Sequence, residues 1–246
     1  MGVETAISWT DSTFNPWWGC QKCGPGCDNC YADVFDRRTG GDHWGADAEY
    51  RTFGDKHWNE PMKWNAKAMA AGRRWLVFCA SMGDVFDRRA PAAERERLWA
   101  LIRATPALTW IIVTKRIGNA PKMLPADWGG GYPNVWLLST VVNQDEADRD
   151  IPKLLAVPAR VHGLSMEPLL GPVDLRAHLD GLGWIIVGGE SGHHARPLDL
   201  AWVRDLRDQA QTAGKAFFFK QAGGRGHEKG GCLLDGIETK EWPLAS

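Results

Sequence analysis

The sequence lacks an excess of charge of either sign. Its 246 residues carry 29 Lys and Arg against 30 Asp and Glu, which gives a formal net charge of −1. This near balance excludes binding of nucleic acid through bulk positive charge, although it leaves room for a local basic site. Hydrophobic residues make up 44% and charged residues 24% of the chain. These values exclude wholesale disorder and are typical of a globular protein.

Long apolar runs are also missing. No stretch approaches the roughly 20 residues that a membrane-spanning helix needs. The first residues, MGVETAISW, show no basic start followed by an apolar stretch, so we expect no secretory signal and a cytoplasmic location. The length predicts one large domain over residues 1–246, with two small domains as the alternative.

Short apolar runs recur from residue 75 onward. Each is rich in aromatic or β-branched residues and apolar at consecutive positions, as in strands buried on both faces. We predict strands at 75–80, 109–114, 135–141, 160–166, 183–189 and 215–220, with an earlier one at 3–9. Helical patterns lie between several of them, at 91–104, 147–156 and 200–213. This alternation predicts an α/β fold with a TIM-type (β/α) barrel, complete or partial, and an open doubly wound sheet is the alternative.

Residues 10–74 interrupt the alternation. They are rich in Gly, Asp, Trp and Cys, and only 59–74 has a helical pattern. We interpret them as a Cys-rich insertion after the first strand, because irregular segments of this length are usually functional. A Gly-rich tail covers 223–246.

The chain contains 14 tryptophans. The main use of tryptophan is to bury area, which favours packing, and the alternative is a surface on which a nucleic-acid base stacks. Five of them lie in the insertion: Trp17, Trp18, Trp44, Trp58 and Trp64. Three Arg-Arg pairs, at 37–38, 73–74 and 88–89, are candidates for phosphate contacts.

Polar residues follow the predicted strands at their carboxyl ends, where barrels and open α/β sheets gather their chemistry. Any buried strand must end in polar residues, which explains part of the set. Paired glycines before Glu190 favour a backbone that a ligand approaches closely. The candidate residues at these ends are Asp84, Lys115, Arg116, Glu167, Gly188, Gly189, Glu190, Ser191, Arg196, Lys220 and Gln221.

Four of the six cysteines are clustered at Cys20, Cys23, Cys27 and Cys30. Three thiolates with the spacing Cys-x6-Cys-x2-Cys can hold three irons of a cubane cluster and leave the fourth iron open. With Cys23 the run permits complete ligation of a cluster, or a structural zinc site. Zinc is disfavoured because the two Cys-x2-Cys pairs have little chain between them. The remaining interpretation, four free cysteines in a loop, is disfavoured because exposed free thiols oxidise readily.

The segment at 15–20, followed by 25–32, resembles the three-cysteine motif of a phage and prophage protein family related to the radical S-adenosylmethionine (SAM) superfamily. In that family the three cysteines match Cys20, Cys27 and Cys30, whereas the position of Cys23 is not usually cysteine. The spacing also differs from the Cys-x3-Cys-x2-Cys that is commoner in the superfamily. Further matches, within about residues 4–225, lie at 81–86, 114–116, 166–172, 188–192, 195–197 and 217–221.

The resemblance implies a partial TIM-type barrel with a [4Fe-4S] cluster held by Cys20, Cys27 and Cys30. SAM would bind the open iron and be cleaved reductively to methionine and a 5′-deoxyadenosyl radical. It also implies an electron donor of the flavodoxin or ferredoxin type and, if the chain is phage-encoded, the host-cell cytoplasm. The substrate we expect is a nucleic-acid base or nucleotide.

We expect the strand-end residues from Asp84 to Arg196 to bind SAM, because their carboxylates and cations suit its ammonium, ribose and carboxylate groups. Lys220 and Gln221 are the candidate catalytic residues. Two alternatives remain. One is a nucleotide- or nucleic-acid-binding module braced by zinc or an iron–sulfur cluster, without catalysis. The other is an unrelated barrel enzyme in which Lys220 acts as nucleophile or base.

Overall fold

The computed structural model describes residues 5–226 and 229–243. Its strands are β1 (Ser12–Thr13), β2 (Trp75–Cys79), β3 (Leu108–Thr114), β4 (Val135–Thr140), β5 (Val161–Met166), β6 (Trp184–Gly188), β7 (Ala216–Gln221), β8 (Leu233–Leu234) and β9 (Ile237–Glu238). Its α-helices are α1 (Tyr31–Arg38), α2 (Asp55–Trp58), α3 (Glu60–Ala70), α4 (Ala92–Ala104), α5 (Gln144–Leu155) and α6 (Leu200–Thr212). In the described part of the chain, none of these helices is both long and apolar enough to cross a membrane.

Strands β1 to β7 follow one another in chain order in one sheet, and β8 and β9 form a separate pair. The six strands predicted from residue 75 onward are confirmed to within one residue at each end. The strand predicted at 3–9 is wrong for 5–9, which form no strand, while residues 3 and 4 lie outside the described part. The first strand is instead β1, so the predicted insertion at 10–74 begins with it. The alternation of parallel strands and helices confirms the α/β prediction.

The chain divides into two compact units. The first comprises Met1–Lys22, Ala32–Leu137 and Val157–Arg160. The second comprises Cys23–Tyr31, Leu138–Ala156 and Val161–Ser246. The single domain expected from the length stays a prediction.

In the first unit, β1, β2 and β3 are parallel neighbours. Aromatic residues fill the space between this sheet and the insertion, with the ring of Phe14 packed 5.3 Å from Trp58, 6.5 Å from Trp64 and 5.7 Å from Trp110. Packing therefore accounts for the five tryptophans of the insertion, and the base-stacking interpretation is wrong for them. None is more than 9% exposed: Trp17, Trp18, Trp44, Trp58 and Trp64.

In the second unit, β5, β6 and β7 are parallel neighbours. Helix α5 begins where the Asn143 side chain accepts a hydrogen bond from the backbone N–H of Glu146, and α6 begins in the same way at Asp199. The register of β6 against β7 shifts after Val187, so that Gly188 lies opposite Gln221. Such an irregularity redirects the side chains at the end of a strand.

Candidate functional site

Cys20 lies in a segment whose backbone is held by other parts of the first unit. Gly19 forms a bridge with Gly83, which follows β2, and Cys20 forms a bridge with Trp44. Gly19 has a φ of +138°, and a Cβ atom there would lie 2.5 Å from the ring of Tyr50. Only glycine fits such a position. The backbone of Cys20 is therefore fixed beside the carboxyl end of β2.

Arg116, which follows β3, lies against Cys20. Its guanidinium donates hydrogen bonds to Cys20 Sγ (3.5 Å) and to the carbonyl oxygen of Gln21 (2.5 Å). It also pairs with Asp84 (3.3 Å) and Asp87 (3.4 Å). The side chains of Arg116, Asp84 and Asp87 are 8%, 7% and 1% exposed. We call these three residues, with Cys20, the Asp84 network. Its buried charges are paired, as buried charges must be.

Asp84 joins the ends of β2 and β3. One of its carboxylate oxygens accepts hydrogen bonds from the Phe86 N–H (2.9 Å) and the Thr114 hydroxyl (2.7 Å). The other accepts from the Lys115 N–H (2.9 Å) and from Arg116 (3.3 Å). With four protein donors, this carboxylate is already satisfied. Asp84 therefore ties the ends of β2 and β3 together, and the cofactor contact expected from the sequence stays a prediction.

Burial favours the neutral forms of the Cys20 thiol and the Tyr50 hydroxyl. Burial raises the pKa of the Cys20 thiol to about 12, although the Arg116 guanidinium opposes the shift. Burial also raises the pKa of Tyr50, and so does its hydrogen bond of 2.8 Å to Asp87. Loss of the proton from Cys20 therefore requires compensation by a cation, which is what a metal ligand receives.

In the second unit, Glu190 follows β6 and accepts four hydrogen bonds. Three come from Arg196 (N 2.9 Å, Nε 3.0 Å, Nη2 2.7 Å) and one from the Asn29 amide (2.9 Å). Arg196 also donates to the Pro25 carbonyl (2.8 Å) and pairs with Asp28 (3.3 Å). Burial alone would raise the pKa of Glu190, but the hydrogen bonds from Arg196 and Asn29 lower it overall. This set, the Glu190 network, fastens an ionised carboxylate to the cysteine loop.

The loop that carries the later cysteines forms a short 3-10 turn, Pro25–Cys27. The N–H of Cys27 donates to the carbonyl of Gly24 (3.0 Å). Cys27 is buried, Cys30 is partly buried and Cys23 is exposed. The sulfur atoms of Cys23 and Cys27 are 3.9 Å apart. Over residues 5–226 and 229–243, no group of three or more His, Cys, Asp or Glu side chains is arranged to hold a metal ion.

Lys220 and Gln221, at the end of β7, each have a partner that follows an earlier strand of the second unit. Lys220 Nζ donates to Glu167 Oε2 (2.5 Å), and the two side chains are 19% and 14% exposed. Gln221 donates to the Ser191 hydroxyl (2.7 Å). A Cβ atom on Gly188 would lie 3.3 Å from the Glu167 side chain, so this glycine makes room for the ion pair. The predicted catalytic residues thus lie at the carboxyl end of β7 and are held by side chains that follow β5 and β6.

Gly189 has an explanation within the chain. A Cβ atom there would lie 2.0 Å from the carbonyl oxygen of Ala222 and 3.0 Å from the N–H of Gly223. No side chain fits this distance. The ligand approach expected from the paired glycines stays a prediction, because the group that lies against Gly189 in this structure is the chain's own backbone.

Sequence reasoning missed several residues of these networks. Asp87 lies three residues after Asp84, and this repeat of aspartates in the sequence could have pointed to it. Asn29 lies inside the three-cysteine segment but was not selected. Nothing in the sequence pointed to Tyr50.

The structure brings the predicted residues together in three groups. The first is Cys20 with Asp84, Lys115 and Arg116, and the second is Glu190 with Arg196. The third is Glu167, Gly188 and Ser191 with Lys220 and Gln221.

A family model described as "Protein of unknown function (DUF5131)" matches residues 4–243. None of the curated proteins matches the chain.

Solved structures of spore photoproduct lyase are similar in fold. A cysteine-to-serine variant has a TM-score of 0.55 at 12% identity, over 92% of this chain and 78% of that one. The lyase complexed with dinucleoside spore photoproduct has a TM-score of 0.50 at 13% identity, over 85% and 65%. A doubly substituted variant with bound AdoMet and dinucleoside spore photoproduct has a TM-score of 0.51 at 13% identity, over 85% and 63%. With the strand order, this likeness confirms the predicted fold class, a partial TIM-type α/β fold.

Proposed function

We propose, for a chain that belongs to the DUF5131 family of proteins of unknown function, that it is a radical SAM-type iron–sulfur enzyme. The observation that carries the proposal is its fold likeness to a lyase solved with bound AdoMet, in a chain that also contains the Cys-x6-Cys-x2-Cys spacing. Fold likeness alone does not define a reaction, so the proposal depends on the chain's own residues as well.

Cys20, Cys27 and Cys30 are the residues we propose as ligands of a [4Fe-4S] cluster. Their chemistry fits this group, because thiolates are its usual ligands and hydrogen bonds to their sulfurs tune it. The guanidinium of Arg116 supplies such a bond to Cys20 Sγ at 3.5 Å. When bound, the cluster would supply the electron that cleaves SAM reductively.

For SAM itself we propose contacts from the strand-end residues predicted above. Asp84, Arg116, Glu190 and Arg196 already have most of their hydrogen-bonding groups engaged by protein partners, so we assign them mainly to positioning. Lys115 and the Glu167 carboxylate are assigned to the charged ends of SAM, since an ammonium and a carboxylate are recognised by groups of opposite charge. Gly188, Gly189 and Ser191 complete the proposed set.

Lys220 and Gln221 are proposed as the residues nearest the reacting atoms. The ion pair with Glu167 holds Lys220 in one position and leaves protons on Nζ to donate to a substrate oxygen or nitrogen. Gln221, held by Ser191, presents an amide that both donates and accepts. Both side chains are partly buried, which limits competition by water.

A nucleic-acid base or nucleotide is the substrate class we propose. The support is that two of the similar structures contain a dinucleoside spore photoproduct. The buried tryptophans of the insertion do not supply a stacking surface. The Arg-Arg pairs are exposed, but Arg37, Arg73 and Arg89 have partners within the chain. The electron donor, the phage association and the cytoplasmic location stay predictions.

The test of the enzyme proposal is anaerobic purification and reconstitution with iron and sulfide, followed by optical spectra and an assay of SAM cleavage with dithionite. We expect methionine and 5′-deoxyadenosine as products. Replacing Cys20, Cys27 or Cys30 with Ala should abolish iron and sulfide loading, whereas Cys23→Ala, the matched control, should keep both.

Two outcomes would contradict this model. If Cys23→Ala loses the cluster as fully as Cys20→Ala, the cluster has no open iron and the SAM mechanism is wrong. A colourless protein with tightly held zinc and no sulfide would instead support the non-catalytic binding module.

The substrate class has a separate test. Binding of single- and double-stranded DNA is measured at two salt concentrations, and phosphate contacts should make the affinity fall as a power of the salt concentration. Absence of binding at low salt would exclude polymeric nucleic acid and leave free nucleotides or another class.

A further inference from the structure

The fourth cysteine of the cluster segment lies beside one of the proposed ligands. The sulfur atoms of Cys23 and Cys27 are 3.9 Å apart, close to van der Waals contact. A disulfide needs a separation of about 2 Å, so the exposed Cys23 side chain has to move towards Cys27 for the bond to form. Cys23 is exposed and Cys27 is buried, so a reagent in solution reaches Cys23 first.

The two thiols are held in this arrangement by the turn between them. The Cys27 N–H donates to Gly24, and the Asp28 N–H donates to Pro25 (3.3 Å). Arg196 fixes the same turn from outside, through the Pro25 carbonyl (2.8 Å). An exposed thiol with a second thiol poised next to it is the usual arrangement of a reversible redox pair.

We propose that Cys23 and Cys27 form a reversible disulfide, which makes Cys23 a modification site that controls whether Cys27 is available as a ligand. The Cys23 thiolate attacks a low-molecular-weight disulfide such as oxidised glutathione and forms a mixed disulfide, releasing one glutathione thiol. The Cys27 sulfur then attacks the Cys23 sulfur and releases the second. Overall the two cysteines lose two electrons and two protons, and one glutathione disulfide is reduced to two thiols.

The disulfide follows from the geometry alone, whereas its effect on the cluster rests on the proposed function. Oxidation would remove one of the three proposed ligands before the cluster is inserted. A protein in the oxidised state should therefore take up no cluster until it is reduced.

The first experiment tests the disulfide without reference to the cluster. The metal-free full-length chain is reduced, freed of reductant, treated with oxidised glutathione and alkylated. Trypsin cleavage after Lys22 and Arg37 places Cys23, Cys27 and Cys30 in one peptide, and cleavage before Asp28 then separates Cys27 from Cys30. We expect the peptide with Cys23 and Cys27 to be lighter by two hydrogens than its reduced, unalkylated form. The alkyl group should be on the peptide that contains Cys30.

Two matched variants make the assignment specific. Cys30→Ser should keep the linkage, and Cys23→Ser should lose it. A linkage between another pair, or glutathione that stays on Cys23 without transfer to Cys27, would overturn the proposal.

The second experiment measures iron and sulfide uptake by the oxidised protein. Wild type should lose uptake after glutathione disulfide and regain it after dithiothreitol, whereas Cys23→Ser should load equally well with either treatment. If the mapped disulfide forms but uptake is unchanged, the control of the cluster is overturned and Cys27 is not a required ligand. If no reduced protein binds a cluster, the proposed function fails, while the disulfide is still decided by the peptide map.

Discussion

The Asp84 network of the first unit and the Glu190 network of the second both pair an arginine with carboxylates. The arginine of the first contacts a cysteine sulfur, whereas that of the second contacts a backbone carbonyl. Arg116 is 8% exposed and shares two buried carboxylates, and its guanidinium reaches the Cys20 sulfur. Arg196 is 33% exposed, and its partners are the buried Glu190 and the exposed Asp28. Its guanidinium reaches a backbone carbonyl of the cysteine loop.

The two networks differ in how far water can reach a charged side chain whose partner has been removed. A charge left without its partner in the Asp84 network has little access to solvent, whereas Arg196 can be rehydrated in part. We therefore expect the first network to contribute to global stability and to the environment of a thiol. The second should mainly order a loop. Each of the following variants probes one side of this difference.

The largest expected effect is that of Arg116→Met. This change leaves Asp84 and Asp87 buried without their cation and should lower the free energy of unfolding by about 3–5 kcal/mol, measured by urea denaturation. Arg88→Met, at a neighbouring exposed arginine, is the control and should change it by less than about 0.5 kcal/mol. If both variants lost the same free energy of unfolding, the buried network would contribute no more to stability than an exposed arginine does.

Gly189→Ala should destabilise the second unit through its backbone. The new Cβ atom would lie 2.0 Å from the Ala222 carbonyl, and moving β6 and the segment after β7 apart should cost about 3 kcal/mol. Gly171→Ala is the matched control, since a Cβ atom there has no neighbour within 4 Å. A tolerated Gly189→Ala would mean that this region is more adaptable than the contrast with the first unit assumes.

A smaller effect, about 1–2 kcal/mol at neutral pH, is expected for Glu190→Gln. The folded-state pKa of Glu190 lies below its usual value of 4.5, so its charge stabilises the fold above that pH and ceases to do so as the pH falls through the lowered pKa. The stability difference between wild type and Glu190→Gln should therefore be constant from pH 7 to about 4.5 and shrink as the pH falls further.

The control for the last variant is Asp28→Asn, which removes the exposed partner of the same guanidinium. It should cost less than about 0.5 kcal/mol. A stability difference for Glu190→Gln that is independent of pH would show that the carboxylate contributes through its shape and not through its charge.

The strands of the sheet were predictable because burial on both faces imposes a continuous apolar run, as at residues 109–114. The strand β1 was not, because two residues pair through backbone groups and leave no pattern in the side chains. Helix α1 was not predictable for a different reason, which is that its apolar Val34 and Phe35 are exposed instead of facing a core. Helices whose hydrophobic side faces solvent carry no reliable signal.

The candidate site was predictable in its residue types and less so in their partners. Strand-end position selected Asp84, Arg116, Glu190 and Arg196, because parallel strands bring such residues to one edge. That these four bond chiefly to the protein depends on contacts far apart in sequence, such as Cys20 with Arg116. No local pattern encodes such contacts, and the packing of Ala222 against Gly189 was hidden for the same reason.

The hydrogen bond between Asn29 and Glu190 joins residues 161 positions apart. During synthesis the cysteine loop therefore leaves the ribosome long before its anchor exists. Contacts between such distant residues form late, since the intervening chain must first be ordered. We expect β6 and the Arg196 segment to fold first and the loop to take its shape on them, so that a nascent chain ending before residue 190 presents its thiols on an unanchored segment.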